Sequence, residues 1–201
     1  MAKPKCTYDA HQSKPAKVWH FLAHEDSWQS FIVDAIIVIL IGKYLLFPGL
    51  GLVLGTQFPV VAVVSGSMDH QGMQFGNWWG DHGAWYEKRN ITKEQFQTFY
   101  KPNGFVKGDV FIVFGLDGGR AKIGDVLIYN IAGKKDPIIH RVIKINSDGT
   151  FQTKGDANYD QLAFEASIRS EQVAGKAALW IPKIGWVKVL AVELVSRILN
   201  R

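Results

Sequence analysis

Two hydroxyls, Ser65 and Ser67, flank one glycine directly after the apolar run Val61-Ala62-Val63-Val64. A serine delivered by a Gly-centred turn at the end of such a run is placed to be exposed. Its hydroxyl becomes a nucleophile only when a neighbouring base takes its proton. His140, in Pro137-Ile138-Ile139-His140-Arg141-Val142-Ile143, is the candidate base, because a strand holds an imidazole at a fixed distance and angle. His70 and His82 lie nearer in sequence but within an aromatic-rich stretch. Taken alone, a histidine among Ile138, Ile139 and Val142 equally suits a satisfied core position; it is the serine and two aspartates, Asp156 and Asp160 in Thr153-Lys154-Gly155-Asp156-Ala157-Asn158-Tyr159-Asp160, that turn the reading toward chemistry. Serine, histidine and aspartate are the parts of a nucleophilic hydrolase. The backbone N–H of Ser67 is available as one oxyanion donor.

These groups must be positioned by something, and the first element is a long apolar run. Residues 31–55 carry only Asp34 and Lys43 as charges. As a helix they reach ~37 Å at ~1.5 Å per residue, enough to cross a hydrocarbon layer of ~30 Å. Pro48 and Gly49 interrupt the pattern; a stop at Phe47 leaves only ~25 Å, so the helix is expected to continue through a kinked or loosened turn. Lys43 near the middle costs on the order of 3 kcal/mol unless it snorkels or finds a partner. The run begins too late and is too long for a cleaved secretory signal, whose apolar core is about 7–15 residues. It reads as an uncleaved anchor. Lys3, Lys5, Lys14 and Lys17 precede it against Asp9, Glu25 and Asp26, which favours a cytoplasmic N-terminus and an extracytoplasmic remainder.

With 201 residues the chain has room for that anchor and one domain of about 140 residues, large enough to bury its own core. The net charge of +5 suits an anionic lipid surface and is too mild to argue for nucleic acid. Cys6 is the sole cysteine, so neither a disulfide nor a thiolate metal site is expected after the anchor. No metal-ligand spacing surrounds His70 or His82, and no cofactor motif is present.

The domain over 56–201 reads as mainly β. Strand-like runs occur at 110–114, 126–130, 138–145, 150–154 and 173–181, separated by turns such as Asp117-Gly118-Gly119 and Ser147-Asp148-Gly149. That punctuation indicates an antiparallel sheet. Lys107-Gly108-Asp109-Val110 and Ile123-Gly124-Asp125-Val126 place a turn before a strand, and plain turn chemistry accounts for both. Residues 71–105 differ in kind, mixing Trp78, Trp79, Trp85, Tyr86, Phe96 and Phe99 with charges. Thr92 and Gln95 mark an N-capped helix there; the segment is either a docking surface for the headgroup layer or a packed helical hairpin. Residues 186–201 carry Val187, Leu190, Leu194 and Ile198 at helical spacing. This is too short to span and fits a short amphipathic helix.

The chain resembles the type I signal peptidases, in the archaeal and endoplasmic-reticulum branch that uses histidine in place of lysine. The resemblance rests on Ser65-Gly66-Ser67-Met68, Lys107-Gly108-Asp109-Val110, Ile123-Gly124-Asp125-Val126-Leu127-Ile128-Tyr129-Asn130, Ile139-His140-Arg141-Val142 and Lys154-Gly155-Asp156-Ala157-Asn158, in the family's order. It implies a membrane-bound serine endopeptidase that removes signal peptides from preproteins, working at a bilayer beside the secretion translocon in the cell membrane, without a cofactor. It also implies Ser67 as nucleophile, His140 as base, the Ser65 hydroxyl as a second oxyanion donor and Met68 as an apolar neighbour of the scissile bond. A later aspartate of the family orients the histidine; Asp160 is expected to fill that role although it follows Asp156 sooner than the pattern has it, with Asp156 sharing the task or holding the loop. Two other readings compete. A non-catalytic membrane-anchored β adaptor leaves the serine, histidine and aspartates without a purpose. A Ser/Lys protease needs a lysine at His140, and Lys144 lies about 13 Å further along the same strand.

Overall fold

The computed structural model describes residues 13–24, 27–116, 120–187 and 189–190. The chain divides into two compact units, one ending at Leu50 and one starting at Gly51. The first holds α1 (Lys14–His24) and α2 (Trp28–Ile41). Helix α1 had no clear signal in the sequence. Helix α2 starts at Trp28, earlier than the expected residue 31, because Ser27 caps it: its side chain accepts the N–H of Ser30. The Ser30 hydroxyl in turn donates to the carbonyl of Phe21 at 2.7 Å, tying α1 to α2.

The helix runs on without a break to Leu54, an apolar element of 27 residues long enough to cross a membrane. It does so through a π turn at Gly42–Leu46, in which Phe47 N–H bonds back five residues to Gly42, followed by α3 (Phe47–Leu54). The π turn takes up the strain that Pro48 creates, since a proline supplies no N–H and crowds the carbonyl of the preceding turn. The expected loosening is thus located ahead of the proline.

In the second unit six antiparallel strands form one sheet in the order β1-β2-β6-β3-β4-β5. They are β1 (Val60–Ala62), β2 (Val110–Phe114), β3 (Val126–Tyr129), β4 (Ile138–Ile145), β5 (Phe151–Lys154) and β6 (Val173–Ile181). Strand β3 explains why the sheet has two cores. All four of its side chains are buried, Val126 and Ile128 with Val61, Phe111 and Val113 on one face, Leu127 and Tyr129 with Val142, Phe151 and Ile168 on the other. Period-two alternation feeds both faces from one strand. The aspartates before β2 and β3 serve as turn residues: Asp109 accepts the N–H groups of Val106 and Lys183, and Asp125 accepts that of Lys122.

The aromatic stretch is a packed helical insertion. Helix α4 (Phe75–Glu87) and helix α5 (Lys93–Gln97) bury Trp78, Trp79, Tyr86 and Phe96 in a third cluster, joined by Ile143 of β4. Thr92 caps α5 by accepting the N–H of Gln95, as the sequence indicated. With these rings inside, the headgroup-docking alternative loses its aromatic surface. The expected C-terminal amphipathic helix lies mostly outside the described residues, which contain only its beginning at Trp186 and Val187 and at 189–190; the turn over 117–119 also lies outside them.

Phe96 is the hub of the insertion, with ring centroids of Trp78 and Tyr86 at 5.1 and 4.9 Å. Phe96→Ala leaves a cavity among rigid rings, and we expect a loss of about 3–5 kcal/mol in denaturant unfolding of the detergent-solubilised chain. A loss below about 1 kcal/mol would show that the cluster collapses around the gap.

Candidate active site

Ser67 lies in the turn that leaves β1, at one edge of the sheet, while His140 is on β4, next to the other edge strand. They meet because the turn after β5 crosses the serine turn: Ala157 N–H donates to the carbonyl of Ser67 at 2.9 Å. The sheet is curled so that its two edges share this bond. The crossing requires glycine at 155. A Cβ there would stand 2.7 Å from the Ser67 carbonyl oxygen and 2.8 Å from His140 Nε2, closer than any real Cβ contact. Gly66, by contrast, has an ordinary φ and open space around it. The glycine whose missing side chain the site requires is Gly155, not the Gly66 at the centre of the serine turn.

The Ser67 hydroxyl lies 2.9 Å from His140 Nε2, and His140 Nδ1 bonds the Oε1 of Glu165. A carboxylate only accepts, so the Nδ1 proton points to Glu165 and Nε2 is left free to accept the serine proton. The hydroxyl of Ser65 is 3.2 Å from that of Ser67. Serine, imidazole and carboxylate in this order form an arrangement able to activate a hydroxyl for acyl transfer.

Glu165 was missed by the sequence reading, which placed Asp160 at this position. The structure corrects that assignment. Asp160 is exposed, and its carboxylate accepts the indole N–H of Trp85 and the backbone N–H of Gln161, both at 2.7 Å. Those bonds hold its carboxyl below the usual range. Glu165 sits in a short 3₁₀ turn, Ala163–Ala166, and is fully buried. Its Oε2 reaches back to the N–H of Leu162 at 2.7 Å, and its Oε1 also receives the hydroxyls of Tyr129 and Thr153. Downstream the turn is fastened by the paired backbone bonds of Ile168 with Phe151 on β5. The signal available in the sequence was one acidic residue in Phe164-Glu165-Ala166, an apolar context in which a carboxylate needs partners.

Asp156 makes no hydrogen bond to His140. It faces Arg141, the neighbour of His140, through two short bonds, Nε to Oδ1 at 2.9 Å and Nη2 to Oδ2 at 2.6 Å. The remaining donors of Arg141 go to the carbonyls of Tyr100, Gly124 and Lys101, so all five are used. Burial pushes the Asp156 carboxyl up, but the guanidinium and the bond from His70 outweigh it and hold the group well below the usual range. Met68 is buried beneath the site, where its sulfur accepts the N–H of Asp156 at 3.3 Å.

Neither lysine of this region occupies the base position. Lys144 is exposed. Lys154, fully buried, donates to the Gly155 carbonyl and the Tyr86 hydroxyl. A groove of about 350 Å³ opens beside Ser67 and His140, with walls that include Val61, Val63, Met68, Phe105, Ile139 and Phe164. Both backbone groups of Val63 bond to the turn before β2. Those of Ala62 and Val64 therefore point to the opposite, groove side. Among the described residues no cluster of His, Cys, Asp and Glu could hold a metal ion.

No family model matches the chain. It is 29% identical over 170 residues to the signal peptidase complex catalytic subunit of Komagataella phaffii, covering 78% of this chain and 80% of that one. The catalytic subunits of Scheffersomyces stipitis and Candida tropicalis are 26% and 27% identical over 161 residues, each covering 76% of both chains. The chain is a homologue of the signal peptidase catalytic subunits, as its ordered motifs indicated.

Burial lowers the ammonium of Lys154 to about 8 from 10.5, partly offset by Asp156 and Glu165. The folded protein therefore gives up this proton before the unfolded chain does. Charged Lys154 lowers stability at neutral pH, and that cost is relieved as pH rises from about 8 toward 10.5, by about 3 kcal/mol in all. Lys154→Met removes the titrating group. We expect the wild type to gain stability relative to the variant from pH 7 to 10; a difference independent of pH would contradict the assignment.

Proposed function

We propose that this homologue of the signal peptidase catalytic subunits is a membrane-bound serine endopeptidase that removes N-terminal signal peptides from secreted preproteins. The observation that carries the reading is the continuous line from the Ser67 hydroxyl through the two nitrogens of His140 to Glu165, at the rim of an apolar groove. Ser67 attacks the scissile carbonyl, His140 takes its proton and returns it to the leaving amine, and Glu165 keeps the ring in the tautomer that leaves Nε2 open. The Ser67 N–H and the Ser65 hydroxyl receive the oxyanion. The preprotein binds as an extended strand along the free backbone groups of Ala62 and Val64, with Met68 beneath the bond to be cut.

In this reading the apolar helix anchors the chain in the cell membrane with its N-terminus in the cytoplasm, and the sheet unit works on the outer side beside the secretion translocon. The relatives are named as subunits of a complex, and an assembly of the same kind is proposed for this chain.

Processing of a preprotein by the purified full-length chain tests the roles. Ser67→Ala should abolish cleavage, and turnover by that variant would refute the nucleophile. Glu165→Gln should lower kcat by up to about 10⁴, the loss seen when a triad carboxylate becomes an amide, with KM and melting temperature little changed. Asp160→Asn should stay near wild type; the reverse ranking of the two variants would return the orienting role to Asp160.

A further inference from the structure

The aromatic insertion does more than bury its own rings: it grips the loop that joins the Gly155 crossing to Glu165. From α4, the indole N–H of Trp85 donates to Asp160 Oδ1 at 2.7 Å, the same oxygen that accepts the backbone N–H of Gln161. The Gln161 side chain continues the line, donating from Nε2 to the carbonyls of Thr153 and Glu165, both at 2.9 Å. One residue on, Leu162 N–H bonds the Glu165 carboxylate itself. Trp85 is held from outside by the Arg89 guanidinium, 3.5 Å from its ring. A tryptophan on a separate helix is thus linked, through Asp160 and Gln161, to the backbone of Glu165 and, one residue further through Leu162, to the carboxylate that meets His140.

We propose that Trp85 is a positioning residue for Glu165, acting through Asp160 and Gln161, and that the insertion serves the reaction by fixing the catalytic loop. The inference rests on the reading of Glu165 as the orienting carboxylate. Downstream, the Glu165 turn is fastened by the Ile168 pairing with Phe151; upstream, the bonds at Asp160 and Gln161 fix the stretch between the Gly155 crossing and Glu165. The acceptor oxygen of Asp160, and not its charge, makes the connection. That distinguishes the latch from any electrostatic role for Asp160.

The test uses the full-length chain, five variants including Glu165→Gln, preprotein kcat and KM, and melting temperature. Trp85→Phe keeps the ring beside Arg89 but deletes the donor; Asp160→Ala deletes the acceptor; Asp160→Asn keeps an acceptor oxygen and removes the charge. We expect Trp85→Phe and Asp160→Ala each to lower kcat by roughly 10- to 100-fold, the scale on which a displaced catalytic group costs rate, with KM within about twofold. Asp160→Asn should restore the rate, and the Trp85→Phe/Asp160→Ala double variant should lose no more than the worse single one. Wild-type kcat in Trp85→Phe and Asp160→Ala, alongside an inactive Glu165→Gln, would overturn the latch and leave the triad standing. Equal losses in Asp160→Asn and Asp160→Ala would also overturn it, by making charge the cause, as would losses in kcat that track loss of folded protein. An active Glu165→Gln would instead remove the reading on which the latch rests.

Discussion

The site depends on one backbone hydrogen bond, from Ala157 N–H to the carbonyl of Ser67. Ser67 comes from one edge of the sheet, and the loop bearing Ala157 comes from the other. Without the bond, nothing in the strand ladder requires the serine and His140 to meet, since β1 and β4 are separated by β2, β6 and β3. The bond exists only because position 155 lacks a side chain; any Cβ would press on the Ser67 carbonyl and the His140 ring together. Proximity of the reacting groups is thus written into a single crossing of two turns.

That crossing is held by polar groups placed where water cannot reach them. Asp156, the next residue, is fully buried and tied to Arg141, which is itself fully buried and next to His140. A buried pair of this kind gains little net stability over an apolar replacement, but breaking it by removing one partner costs about 3–5 kcal/mol. Its value is geometric: it fixes the 155–158 turn to β4, the strand that carries the imidazole. The rings of Phe96, Tyr86 and Trp78 wall off this pair, with the Arg141 guanidinium 4.8 Å above Phe96. The insertion and the site therefore share one set of contacts.

Much of this was legible in the sequence because it depends on local pattern. Apolar alternation marked most strands, Thr92 and Gln95 marked a helix cap, and the two Gly-Asp pairs marked turns whose aspartates bond backbone N–H groups. Residue type and context singled out Ser67 and His140, which the fold brings to 2.9 Å of each other. They did not single out the carboxylate, because its selection depends on where a loop folds. Asp160 follows Asp156 sooner than the expected pattern and lies exposed, bonded to Trp85, while Glu165 is buried in a 3₁₀ turn that no periodicity announces. The demand for glycine at 155 was hidden for the same reason, since the atoms it must avoid belong to residues 15 and 88 positions away. The aromatic insertion left two readings open until burial of its rings decided between them.

The central claim is that Glu165, through His140, makes the Ser67 hydroxyl reactive. Its most direct measurement is the rate at which a serine-directed phosphonate ester labels the full-length chain, with the modified peptide located by mass spectrometry. The account predicts a single adduct on Ser67 and a rate that falls by orders of magnitude in Glu165→Gln while the protein stays folded. Labelling at another residue, or an unchanged rate in Glu165→Gln, would contradict it.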